Sequence, residues 1–185
     1  MDNDLGNLLL ALARNAIAEK LDAAHTPDSK PATHPALLER GAVFVTLTQN
    51  GALRGCIGSL EAWRPLHEDI SANAVAAALR DPRFPPLSAD ELGRTRVEVS
   101  LLTPAQPMSF ANEADAIGQL RPHIDGVILE YGKHRGTFLP QVWESLPEPR
   151  EFMAQLKRKA GLPLNFWSNE LKLSRYQVEK WKEPA

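Results

Sequence analysis

The sequence predicts an α+β protein, an antiparallel β-sheet with helices packed on it, and three observations predict this class. Val43-Phe44-Val45-Thr46-Leu47 and Leu53-Arg54-Gly55-Cys56-Ile57 flank Asn50-Gly51, alternating β-formers on both sides of a strong hairpin turn signal. Leu5, Leu8, Leu9, Leu12, Ala16 and Ile17 recur at helical spacing, which predicts an amphipathic helix over residues 4–21. Val97-Glu98-Val99-Ser100-Leu101 keeps its valines on one side and Glu98 and Ser100 on the other, as in a strand with one covered face.

The remaining elements follow in order. Residues 22–36 carry Pro27, Pro31 and Pro35 and read as a loop; His25 and His34 sit there without a partner at metal-ligand spacing. The hairpin is expected over 42–60. Pro65 opens a helix that stops at Asp81-Pro82, with Leu66, Ile70, Asn73 and Ala77 on one face. The prolines of Asp81-Pro82-Arg83-Phe84-Pro85-Pro86-Leu87 remove backbone donors, so this stretch is a rigid loop. Ser88 to Glu91 fits a capping box for a short helix. Asn112 caps a helix that runs to Leu120, and Asp125-Gly126 marks a turn before the strand Val127–Glu130. A second hairpin returns through Thr137-Phe138-Leu139. Short helices follow Pro140 and Pro149, the latter ending at Gly161. Lys157, Arg158 and Lys159 read as a solvated face, and residues 170–181 as one final strand.

Composition narrows the function. The chain has 185 residues, enough for one domain, or for one domain with a minor lobe, around a proper core. A net charge of −2 offers no basic footprint for nucleic acid or membrane. The single cysteine excludes an internal disulfide and a cysteine-ligated iron–sulfur cluster within the chain. No signal peptide or membrane span is legible, so the expected location is cytoplasmic. No GxGxxG, Walker loop or HExxH is present, and the expectation is no cofactor and no metal.

The chemistry-bearing stretch is Leu53-Arg54-Gly55-Cys56-Ile57-Gly58. Residues i and i+2 of a strand share a face, so Arg54 and Cys56 are expected to point the same way. With a two-residue loop, Leu47 would oppose Arg54 and Val45 would oppose Cys56. A guanidinium about 6.5 Å from the sulfur favours the thiolate by roughly 2–3 kcal/mol at an effective dielectric near 20. Gly55 and Gly58 mark a bulge or a close approach of ligand or backbone. The opposing reading makes Cys56 a small buried hydrophobe and pairs Arg54 with a carboxylate. Asn73 either bonds a neighbouring backbone or faces the Cys56 cleft. Asp81, Arg83 and Phe84 either wall that cleft or serve as cap and surface pair. Glu98 is a potential partner for Arg54, His123 the histidine to pair with Cys56, and Arg135 a further cation.

LRGCIG after an Asn-Gly hairpin, DPRFPPL at 81–87, VEVSLLTP at 97–104, TFLPQVWE at 137–144 and KAGLP at 159–163 together resemble the AMMECR domain family. The resemblance covers nearly the whole chain as a single domain, 1–185. It implies a compact α+β fold with a larger lobe and a small β-containing lobe. It also implies a likeness to component A of the AmmeMemoRadiSam system, whose partners are a Memo-type protein and a radical SAM enzyme. It carries over Arg54, Gly55, Cys56, Gly58, Asp81, Arg83, Phe84 and Pro85 as motif positions without assigning them roles.

Two functions stand. In the first, slightly favoured, Cys56 is the reacting thiol of an enzyme. Arg54, Arg83 or Arg135 then lowers the thiol's pKa or holds an anionic substrate, His123 moves the proton, and Glu98 or Asp81 orients a cation. In the second, the same arginines bind an anionic ligand, a peptide or a partner protein without chemistry.

Overall fold

The computed structural model describes residues 3–23 and 34–184; His25 lies outside them. Along the chain run α1 (Asn3–Lys20), β1 (Arg40–Gln49), β2 (Ala52–Gly58), β3 (Arg64–Pro65), α2 (Leu66–Leu79), α3 (Ala89–Leu92) and β4 (Thr95–Leu102). Then come β5 (Gln106–Pro107), α4 (Glu113–Gln119), β6 (Gly126–Tyr131), β7 (His134–Phe138), α5 (Pro149–Lys159), β8 (Lys172–Tyr176) and β9 (Val178–Lys182). The elements divide into two compact units. One holds the described residues up to Leu102 and from Glu179 onward; the other is Thr103–Val178.

The first unit is a sheet of order β2-β1-β4-β9, with β3 beside the start of β1. Val43, Val45 and Leu47 are fully buried against Leu9, Ala13 and Ile17 of α1 and Ile70, Ala74 and Ala77 of α2. The alternate residues Phe44, Thr46 and Thr48 lie half-buried on the opposite face, the period-2 alternation of a sheet covered on one side. β4 obeys the same rule, with Val97 and Val99 buried and Glu98 half-buried opposite Thr46. Ser88 and Glu91 form the expected capping box.

A buried carboxylate pins α2 to the sheet. Asp69 is 0% exposed and accepts the Val43 N–H at 3.0 Å, the Ser59 hydroxyl at 2.7 Å and Arg64 Nε at 2.7 Å. Asn73 donates to the Val43 carbonyl, Ser59 and Asp69, so the polar residue on the apolar stripe of α2 closes this network.

The second unit is an antiparallel sheet of order β5-β8-β6-β7 covered by α4 and α5. Trp143 and Phe152 stack at 3.7 Å between ring centroids in its core. Asn112 caps α4 by accepting the Asp115 N–H at 2.9 Å, and Gly161 ends α5 with a φ of 85°.

The structure corrects four expectations. The stretch 170–181 is two strands, β8 and β9, and they belong to different sheets. The chain reverses at Arg121–Ile124 rather than at Asp125-Gly126; Asp125 is buried, and Ile124 and Asp125 both donate to the Arg121 carbonyl. Lys157 is not on a solvated face. It is 2% exposed, ion-paired to Glu113 and 5.7 Å from the Trp167 ring centre, a buried charge kept because it is paired. The hairpin register also differs. Gln49 opposes Ala52 and Thr48 opposes Leu53, but Leu47 opposes Gly55 and Thr46 opposes Cys56. Arg54 is the extra residue of a β-bulge.

Gly55 explains the bulge. A Cβ there would lie 2.2 Å from the Ala77 carbonyl oxygen, so β2 seats against the backbone of α2 only without a side chain. We expect Gly55→Ala to cost about 1–3 kcal/mol through forced backbone displacement. Urea unfolding checks it, and an unchanged midpoint with an unchanged slope would refute the close-approach explanation.

Candidate functional site

β2 is an edge strand, paired with β1 on one side only. At an edge, alternate residues turn their N–H and C=O away from the sheet, and those groups need other partners. At Cys56 both are met by one ion pair from the 81–84 turn. The Cys56 N–H donates to Asp81 Oδ2 at 2.9 Å, and Arg83 Nη2 donates to the Cys56 carbonyl at 3.4 Å. Asp81 accepts Arg83 Nε at 3.0 Å, Nη2 at 2.7 Å and the Arg83 main-chain N–H at 3.1 Å. The pair docks on the edge of β2 as a short strand would.

Outward backbone groups make Thr46–Cys56 a non-hydrogen-bonded cross-strand pair, the kind in which side chains approach most closely. Thr46 Oγ1 and Cys56 Sγ are 3.3 Å apart. Either atom can donate: the hydroxyl can take the S–H hydrogen bond or stabilise a thiolate. Across β1, Thr46 opposes Glu98, so Cys56, Thr46 and Glu98 form one row on the sheet face away from α1 and α2. The thiol is half-buried.

Electrostatics sharpen the arrangement. Hydrogen bonds from Arg83 hold the Asp81 carboxyl far below the usual carboxylate range; the amides of Cys56 and Arg83 add to this against the cost of burial. Asp81 raises Arg83 in turn, and a smaller Coulombic contribution comes from Cys56. Asp81 is 2% exposed and Arg83 55%, so the acid is an internal anchor and the guanidinium faces solvent. Phe84 supports it, with the guanidinium carbon 5.5 Å from the ring centre.

Other expected site residues fall elsewhere. Arg54 does not accompany Cys56. The bulge swings it to Glu91, which it meets through Nε at 3.2 Å and Nη2 at 3.1 Å, beside Gln49. Glu98 is not its partner, because β2 and β4 lie on opposite sides of β1; Glu98 has Lys180 at 4.0 Å. Gly55 is filled by the α2 backbone, and a Cβ at Gly58 would lie 2.2 Å from the Phe44 ring. The Asn73 amide is spent within the Asp69 network. His123 and Arg135 belong to the second unit. His123 sits in the Arg121–Asp125 turn with a φ of 64°, and Arg135 donates to Glu130 at 3.1 Å. His34 Nδ1 accepts the Ala36 N–H.

Three residues outside the expected set matter here: Thr46, which meets the thiol; Glu91, which captures Arg54; and Asp69. A glycine following a long side chain inside a hairpin strand was the available signal for the bulge, and hence for the first two. Asp69 had none, since its partners are Val43, Ser59 and Arg64.

A sequence model of the AMMECR1 family matches residues 10–181. The chain belongs to the AMMECR1 family. It is 38% identical over 192 residues to a protein of Methanothermobacter thermautotrophicus, covering 99% of this chain and 96% of that one. Protein MK0488 of Methanopyrus kandleri is 35% identical over 190 residues, with coverage of 97% and 89%. The crystal structure of the uncharacterized protein PH0010 from Pyrococcus horikoshii has the same fold. Its TM-score is 0.78 at 35% identity, with 96% of this chain and 91% of that chain covered. Residues 53–58 and 81–87, which build the geometry around Cys56, lie inside the AMMECR1 match.

The Arg54–Glu91 pair gives a pH test. Hydrogen bonds from Arg54, then the Ser88 N–H, pull Glu91 from 4.5 down to about 2. A depressed carboxylate stabilises the fold fully above its unfolded value and loses that contribution as pH falls through the folded one. The Glu91→Gln variant is therefore expected to be less stable than wild type at pH 6, with the gap closing between pH 4.5 and about 2. Urea midpoints across that range check it. A gap independent of pH would contradict it.

Proposed function

We propose that this AMMECR1-family protein carries a cysteine-centred site in its first unit. Cys56 is the reacting thiol, Thr46 its hydroxyl partner, and Arg83 the cation that receives an anionic group of the substrate. One observation carries the reading. The sulfur of the half-buried Cys56 lies 3.3 Å from the Thr46 hydroxyl, while the Asp81–Arg83 pair locks the Cys56 backbone and leaves the guanidinium open to solvent. A cysteine used for chemistry needs access, a hydrogen-bonding group at sulfur and a nearby positive charge. Glu98, two strands from Cys56 in the same cross-strand row, is the acid available to that face.

A second reading keeps the site and removes the chemistry. It is favoured by the pairing of Arg83 with Asp81, which leaves little net positive charge at the sulfur, and by the lack of an imidazole bonded to Cys56 among the described residues. The protein is then a binding module for an anionic ligand or a partner. Under either reading we propose a Memo-type protein and a radical SAM enzyme as the proteins it works with, and a cytoplasmic setting. Among the described residues, no helix is long and apolar enough to cross a membrane.

Iodoacetamide alkylation at pH 7, on native protein and in denaturant, separates the two readings. The catalytic reading expects native Cys56 to react at least as fast as the unfolded thiol, and Arg83→Gln or Thr46→Val to slow it severalfold. A thiol that reacts only after unfolding would refute this reading and leave the binding module.

A further inference from the structure

In the second unit, Arg121 and Arg175 converge on one buried carboxylate. Asp125 is 0% exposed and accepts the Arg121 main-chain N–H at 2.9 Å, Nε at 3.1 Å and Nη2 at 2.6 Å. Arg175 Nη1 stands 3.8 Å from the same carboxylate and donates to the Gln119 carbonyl at 2.9 Å. The Asp125 carbonyl is itself held by the buried Trp143 indole N–H at 2.8 Å. The turn that carries this pair passes through His123 at a φ of 64°, a strained conformation for a residue with a side chain. Both guanidiniums are thus fixed from below, yet Arg121 is 47% and Arg175 33% exposed.

Their open side faces a pocket of about 410 Å³, which Gln106, Tyr176 and Gln177 help to line. That volume suits a small molecule. Among the described residues, Arg121 Nη1, Arg175 Nε and Nη2, and the side-chain amides of Gln106 and Gln177 have no protein partner. These solvent-facing polar groups are gathered on one concavity and are open to a ligand. Two guanidiniums against one carboxylate leave one positive charge, and the Tyr176 hydroxyl, buried and donating to the Phe138 carbonyl, adds none. One uncompensated charge selects a singly charged anion, because a dianion would bring a second negative charge beside Asp125. The planar fork of guanidinium donors matches a carboxylate, and the glutamine amides match a polar group next to it.

We propose that this pocket binds the carboxylate of a small organic acid bearing an adjacent amide or similar polar group. Arg175 and Arg121 hold the carboxylate; Gln106 and Gln177 hold the polar neighbour. The site is lined by the second unit alone and does not depend on the reading of Cys56.

Titration of the full-length protein with N-acetylglycine by NMR tests it, with inorganic phosphate and sodium chloride at matched ionic strength as comparisons. The expected result is saturable shifts at the Arg121 and Arg175 Nε–H and the Gln106 and Gln177 amide resonances. Arg175→Gln should weaken binding about tenfold or more, as loss of a charged hydrogen bond does. Arg175→Lys, which keeps the charge without the fork, should bind between the two and guards against a folding defect in the first variant. Shifts that never saturate, or that Arg175→Gln leaves intact, would overturn the site. Tighter saturable binding of phosphate at the same resonances would overturn the carboxylate assignment.

Discussion

The geometry around Cys56 depends on one carboxylate. Asp81 is almost fully buried and spends its oxygens on the Cys56 N–H and on Arg83. Exposed strand edges invite pairing with other chains, and proteins blunt them with charges, turns and prolines. Here the 81–87 loop does all three. Its aspartate receives the edge N–H, its arginine serves the edge C=O, and its prolines bar the loop from continuing as a strand. An ion pair with its acid buried and its guanidinium in solvent is not a large net source of stability. What it supplies is position: it decides which backbone groups of β2 are spoken for, and so which face carries the thiol.

From that constraint the two faces of the first sheet take different roles. Val43, Val45, Leu47, Val97 and Val99 face α1 and α2 and form the core. Phe44, Thr46, Cys56 and Glu98 face the other way and remain partly open. The glycines of LRGCIG belong to packing, one under an α2 carbonyl and one under the Phe44 ring. Arg54 belongs to the α3 junction through Glu91. In this AMMECR1-family chain the motif is therefore largely scaffold, and Cys56 is the residue in it joined to a threonine and a distant loop.

Much of the fold was legible because it follows from local rules. The Asn-Gly hairpin, the alternation on β1 and β4, the capping box at Ser88–Glu91 and the cap at Asn112 all sit where periodicity and turn chemistry put them. What was not legible depends on partners far along the chain. Inference from i to i+2 assumes an unbroken ladder, and the bulge at Arg54 breaks it because Gly55 must make room for Ala77. Lys157 stands in a run of charges but finds Glu113 and Trp167, which no spacing rule links to it. The role of Asp81 was open for the same reason: a cap and a wall look alike until the strand beside it is known. The separation of His123 and Arg135 into another unit has no local signal either.

Amide hydrogen exchange at Cys56 tests most directly whether Asp81 positions the thiol strand. An edge N–H turned from its neighbour exchanges freely unless something else accepts it. Cys56 is expected to be protected in the wild type. Asp81→Ala is expected to speed its exchange about tenfold or more, the scale of losing one charged hydrogen bond, while Val45 in the centre of the sheet is unaffected. A Cys56 amide that exchanges as an exposed one in the wild type, or is indifferent to Asp81→Ala, would contradict it.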